Sequence, residues 1–169
     1  MRKEGKVWKY GDNVNTDLLF PGRYTYIIMT EEEMAKHALE DLDTEFVKSD
    51  IDGDILVAGE NWGCGSSREQ AVKALKARKV GAVICKSVAR IYFRNALNEG
   101  FPVIVCASAV DAIEKGDLVA FDLDNHYVEV NKNRYEFAPY PKYIQNLVDA
   151  GGLLPLMQKI IKEKKEERK

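Results

Sequence analysis

The chain has 169 residues, of which 46% are hydrophobic and 31% charged, and a net charge of −2. That composition fits one ordinary globular domain with a sizeable core and excludes a disordered chain. The near-neutral balance leaves no footprint for nucleic acid, no apolar run approaches the ~20 residues that span a bilayer, and Met1–Lys6 lacks the apolar core of a signal peptide, which together point to the cytoplasm.

Lys6–Tyr10 alternates polar and apolar residues and predicts a short strand. Gly11–Asp17 reads as a turn-rich loop whose side chains hydrogen-bond nearby backbone, and Pro21-Gly22 marks a second turn. Thr30, followed by Glu31, Glu32 and Glu33, predicts a capped helix start with a capping-box glutamate. That helix is expected to run to about Asp41, with Met34, Ala38 and Leu42 on one face.

From Asp54 to Ala107 short apolar strands alternate with helices. The strands are expected at Ile55–Gly59, Ala82–Cys85 and Val103–Cys106, and the helices at Ser67–Lys79 and Val88–Glu99, the second stopped by Gly100. Wholly apolar strands separated by helices predict a parallel sheet buried on both faces. Right-handed crossovers then place the turn after Ile55–Gly59 at a carboxyl end, where ligands bind in open α/β sheets. After Gly116 the pattern changes: Leu118–Phe121, the Asp124-Asn125 turn and Tyr127–Val130 predict an antiparallel hairpin, with Arg134–Phe137 as a third strand. Helices near Lys142–Ala150 and Leu154–Lys164 close the chain. Residues 1–161 read as a single domain and 162–169 as a charged, frayed, solvated tail.

The cysteines Cys64, Cys85 and Cys106 are each 21 positions apart, which matches no metal-binding spacing. Cys85 and Cys106 end apolar runs and read as buried strand residues, so no metal or iron–sulfur cluster is expected on this chain.

The densest chemistry lies in Gly63-Cys64-Gly65-Ser66-Ser67-Arg68-Glu69. Ser66 and Glu69 form an S-x-x-E pattern, which makes Ser66 a candidate N-cap and is by itself only a well-made helix start. The two glycines let backbone approach a ligand, Arg68 suits a carboxylate, and helix-start N–H groups favour an anion. The same donors would stabilise an ionised Ser66, without which a serine hydroxyl is far too weak a base. No phosphate-loop or hydrolase-elbow motif is present. The only histidines, His37 and His126, read as a helix-face and a turn residue and not as partners of a nucleophilic serine.

Gly65-Ser66-Ser67-Arg68-Glu69 resembles the active-site serine segment of the aconitase superfamily. Lys9–Asp17 resembles the family's N-terminal signature, and Ala89–Asn95 its next helix. The order and spacing of the three, from about Gly5 to Leu156, are similar to those of the small subunits of isopropylmalate isomerases. The resemblance implies an α/β swivelling β/β/α domain, with a mostly parallel sheet flanked by helices and a C-terminal antiparallel hairpin. It implies a separate large subunit, in a heterodimer or heterotetramer, that supplies three cysteine ligands to a [4Fe–4S] cluster.

The implied reaction, in leucine biosynthesis, dehydrates a hydroxy acid and rehydrates it with the hydroxyl moved one carbon. The cluster iron would act as Lewis acid on the leaving hydroxyl. By position, Ser66 would be the base that takes the proton next to a carboxylate. Ser67 and Arg68 would bind substrate and stabilise ionised Ser66, and Asp17 would sit near the substrate. Gln70 stands where many relatives carry histidine.

The family's loop after Pro21-Gly22-Arg23-Tyr24 contacts the variable group of the substrate, which makes Tyr24, Thr25, Tyr26 and Ile27 candidate specificity residues. Forms acting on homoaconitate place an arginine where Tyr26 stands here. An apolar, aromatic loop suits an isopropyl or methyl group instead. The expected substrate is 2-isopropylmalate. Homoaconitate, citrate or a methylated malate are near alternatives, and a non-catalytic carboxylate-binding module is the alternative of a different class.

Overall fold

Strand β1 (Arg2–Lys9) joins two differently built halves of one seven-stranded sheet in a computed structural model that describes residues 1–166. Its last residues, Val7–Lys9, pair in parallel with β2 (Ile55–Ala58), while Arg2–Lys6 pair antiparallel with β5 (Leu118–Asp122). On the β2 side, β3 (Ala82–Cys85) and β4 (Val103–Val105) continue in parallel. On the β5 side, β6 (Tyr127–Val130) and β7 (Asn133–Glu136) form an antiparallel meander. The strand order is β4-β3-β2-β1-β5-β6-β7. The start of β1 escaped the sequence because Arg2-Lys3-Glu4 expose their side chains, and their pairing with β5 is a backbone contact.

Alternate residues of the parallel strands enter opposite cores, as a period of two requires. Trp8, Leu56, Ala58, Val83, Cys85 and Val103 face one core; Val7, Ile55, Val57, Ala82, Ile84 and Ile104 face the other. The first core is roofed by α4 (Gln70–Ala77), through Ala71, Val72, Ala74 and Leu75. The second holds Leu97 of α5 (Arg90–Asn98), Ala109 and Val110 of α6 (Ala107–Ala112), and Val148 of α7 (Lys142–Asp149).

The expected capping box forms: the Glu33 N–H donates to Thr30 Oγ1 at 3.2 Å and the Thr30 N–H to Glu33 Oε2 at 2.7 Å. The helix it starts, α2 (Glu31–Lys36), is shorter than predicted. Leu39 takes a left-handed φ of 59° and donates its N–H to Leu19 O at 3.0 Å, so a tertiary bond ends the helix. Three short helices went unpredicted: α1 (Thr16–Leu19), α3 (Thr44–Lys48) and α6. The last helix, α8 (Leu153–Glu166), carries its exposed charged residues 162–166 as helix where a frayed end was expected; 167–169 lie outside the described residues. No helix among the described residues is long and apolar enough to cross a membrane.

Candidate active site

Parallel strands all end at the same edge, so the segments that follow β1, β2 and β3 meet there. Backbone bonds stitch them together: Gly63 N–H to Val14 O (2.8 Å), Thr16 N–H to Cys64 O (2.8 Å), Trp62 N–H to Ser87 O (3.0 Å) and Ala89 N–H to Trp62 O (2.9 Å). The Ser66 loop is therefore the middle strip of three. Gly63 and Gly65 make the bends, with φ of +69° and +101°, a region L side chains rarely enter. A Cβ on Gly63 would also lie 2.2 Å from the buried Tyr92 ring.

Ser66 Oγ sits between a guanidinium and a second hydroxyl. Arg68 Nε donates to it at 2.6 Å, a charge-assisted bond. Thr16 Oγ1 lies 3.3 Å away and accepts the Ser66 N–H at 3.0 Å; either hydroxyl can donate to the other, and only Thr16 can donate once Ser66 is ionised. Arg68 is itself clamped: Nη1 donates to Thr25 Oγ1 at 3.0 Å and Nη2 to Asp17 Oδ1 at 2.5 Å. Its side chain is 15% exposed, against 65% for Asp17. A guanidinium has five N–H donors, so two remain for a ligand carboxylate.

Asn15 makes this arrangement possible by capping α1, accepting the N–H of Asp17 (2.9 Å) and of Leu18 (3.0 Å). Thr16 and Asp17 thereby lie on the first turn of α1, across from Ser66 and Arg68. Thr16, only 1% exposed, was missed as a site residue. Its signal in the sequence was its place beside Asp17 in the turn-rich loop. Asn95 was missed as well: its Nδ2 donates to Ser67 O at 2.9 Å and holds the loop from the α5 side.

The expected capping box at Ser66 does not form. Helix α4 begins at Gln70, its cap residue Glu69 makes no side-chain cap bond, and the Glu69 carboxylate pairs with Lys73 at 3.0 Å. Residues 66–69 are held off the helix because Arg68 folds back on Ser66 and Asn95 grips Ser67. The polar groups around Ser66 Oγ are thus a guanidinium and a hydroxyl, not helix-start N–H groups.

The candidate specificity residues divide. Tyr24 stacks on His37 with ring centroids 4.1 Å apart and, with Phe20, Ile27, Ile28, Met29 and Met34, lines the apolar side of an open groove of about 360 Å³. Glu69, Gln70 and Lys73 form its polar rim. Thr25 is occupied with Arg68. Tyr26, 97% exposed, lines no part of the groove, whereas Ile28, unpredicted and 100% exposed, does.

His37 stands at the C-terminal end of α2 against Glu40, and His126 in the hairpin turn with φ of 56°; neither reaches Ser66. Cys85 and Cys106 sit in opposite cores, and burial pushes the Cys85 thiol up to about 12. Thiols on the two faces of a sheet cannot share a cluster, and no group of His, Cys, Asp and Glu among the described residues is arranged to hold a metal ion. These residues do not fit an iron–sulfur cluster.

A mixed sheet with a serine–arginine loop across the carboxyl ends of its parallel strands defines an aconitase-type swivel domain, and residues 15–107 match the aconitase C-terminal domain family. The chain is 48% identical over 164 residues to the 3-isopropylmalate dehydratase small subunit of Nautilia profundicola, covering 95% of this chain and 97% of that one. It is 49% identical over 162 residues to that of Caldicellulosiruptor bescii, with the same two coverages. The crystal structure of 3-isopropylmalate dehydratase from Methanocaldococcus jannaschii superposes with a TM-score of 0.89 at 39% identity, over 98% of this chain and 99% of that one. The chain belongs to the family of 3-isopropylmalate dehydratase small subunits.

Proposed function

We propose that this single-domain chain is the base-bearing half of a cytoplasmic hydro-lyase that isomerises 2-isopropylmalate to 3-isopropylmalate together with a large subunit. The observation that carries the reading is Ser66 Oγ held at 2.6 Å by Arg68 Nε, with the Thr16 hydroxyl at 3.3 Å. An oxygen between a fixed cation and a hydroxyl donor is stabilised in its ionised form, the state in which serine can accept a proton.

Ser66 accepts the proton from the carbon next to a carboxylate, and the hydroxyl leaves the neighbouring carbon as hydroxide, giving an alkene while Ser66 keeps the proton. Readdition with the two positions exchanged yields the isomer, and Ser66 returns the proton. The two N–H donors left on Arg68, with Ser67, bind one substrate carboxylate. Asp17 orients Arg68 through their 2.5 Å ion pair. The apolar side of the groove, beside Tyr24, Ile27 and Ile28, takes the isopropyl group. Because the cysteines here do not fit a cluster, the [4Fe–4S] cluster that the family resemblance implies is assigned to the large subunit.

The test is anaerobic co-expression with the large subunit and assay on 2-isopropylmalate, homocitrate and citrate. Activity on 2-isopropylmalate is expected, falling roughly 10²–10⁴-fold in Ser66→Ala with the cluster spectrum intact. Full turnover by that variant overturns the base assignment, and activity on tricarboxylates alone overturns the substrate.

A further inference from the structure

Seven arginines lie among the described residues, and five are partnered within the chain. Arg2 and Arg134 pair with Glu129, Arg23 with Asp41 and Arg68 with Asp17, and Arg78 donates to the carbonyls of Val47 and Ser49. Arg90 and Arg94 are the exceptions: both are exposed, and neither has an ion pair or hydrogen bond among the described residues.

Their positions are locally unfavourable. They stand one turn apart on α5, where like charges repel. Arg90 is also the first residue of that helix, at the positive end of its dipole, and no acid occupies the first turn. Between them Ile91 is 50% exposed. With Gly63, Gly65 and Ala89 the three line an open depression of about 500 Å³ that adjoins the Ser66 loop.

We propose that Arg90, Ile91 and Arg94 form a docking point for the large subunit, receiving an acidic surface element of it. Carboxylates would meet the two guanidiniums and an apolar side chain would cover Ile91. The proposal rests on the reading of this chain as a half-site completed by that subunit. Charge complementarity selects the occupant: a chain of net charge −2 leaves two adjacent guanidiniums uncompensated beside its candidate site. A small hydroxy diacid would neutralise the pair but leave Ile91 in water, whereas a protein partner would cover it, and arginine is enriched at protein interfaces. Docking there seats the partner along the rim of the Ser66 loop.

The test measures binding of the purified chain to the purified large subunit, at low and high salt. The chains compared are wild type, the double reversal R90E/R94E and the charge-conserving R90K/R94K, each checked for an unchanged melting temperature. The double reversal should bind roughly 10- to 100-fold more weakly and lose most of its salt dependence, R90K/R94K should retain most of the affinity, and turnover per assembled complex should be unchanged. An arginine-selective dicarbonyl should modify Arg90 and Arg94 in the free wild-type chain and be excluded from both in the complex, a readout that needs no variant.

Unchanged affinity with no protection overturns the proposal. So does unchanged affinity with a raised KM, which would hand the arginines to the substrate. Failure of the wild-type chain to bind the large subunit is a separate result, and it removes the half-site reading together with the docking point.

Discussion

The two halves of the sheet share β1 and differ in what their loops can do. In the half formed by β1–β4, every strand runs the same way, so the segments after Lys9, Ala58 and Cys85 converge at one edge and stitch into the Ser66 site. In the half formed by β5–β7, each strand returns, so successive loops fall at opposite ends and cannot converge. The contrast shows why the candidate site gathers on one side of β1 while the other side completes the second core through Val119, Phe121, Val128 and Val130. A site that needs donors distant in sequence is cheapest to build where parallel strands end.

The strongest attempt to break this division is Arg68→Lys. Lysine keeps the charge but cannot reach Ser66, Thr25 and Asp17 together, so kcat in the reconstituted enzyme should fall about 10²–10³-fold. A change confined to KM would make Arg68 a binding residue only.

Gly63→Ala attacks the same half through its backbone. With a left-handed φ and a contact of 2.2 Å to Tyr92, it should cost about 3 kcal/mol, or roughly 6–12 °C of melting temperature by calorimetry.

Thr16→Val removes one hydroxyl of nearly equal volume, and with it the acceptor of the Ser66 N–H. A fall of about tenfold in kcat is expected from steady-state kinetics, with the fold retained by circular dichroism.

The smallest effect belongs to the other half. Asp122 is held below the usual carboxylate range by hydrogen bonds from Asn125 and by the N-terminal amine. A folded value below the unfolded one means its stabilisation is present above about pH 4 and is lost as pH falls through the folded value. Asp122→Asn should therefore melt a few degrees lower than wild type at neutral pH, the gap closing in acid, with kcat unmoved. A loss of turnover would show that the antiparallel half is not mere scaffold.

Periodicity exposed β2, β3, β4 and the hairpin because their side chains are buried on one or both faces, and burial is what apolar patterning records. It missed Arg2–Gly5, whose place is owed to backbone pairing, and α1, α3 and α6, which are too short to show a helical period. In the site, Ser66, Arg68 and Asp17 were legible from residue type and resemblance, and the structure brings them together. Thr16, Asn95 and Ile28 were not, because a threonine, an asparagine or an isoleucine has a role here only through what it faces.

By itself, then, the sequence determined the strands, the glycine bends and a serine beside a cation in one loop, since these follow from local sterics and from burial along each element. Only the tertiary structure decided that Ser66 leaves the helix start to sit between Arg68 and Thr16. It alone set Cys85 and Cys106 in opposite cores and left Arg90 and Arg94 without a partner among the described residues. Those outcomes depend on distances between residues tens of positions apart, which no local pattern encodes.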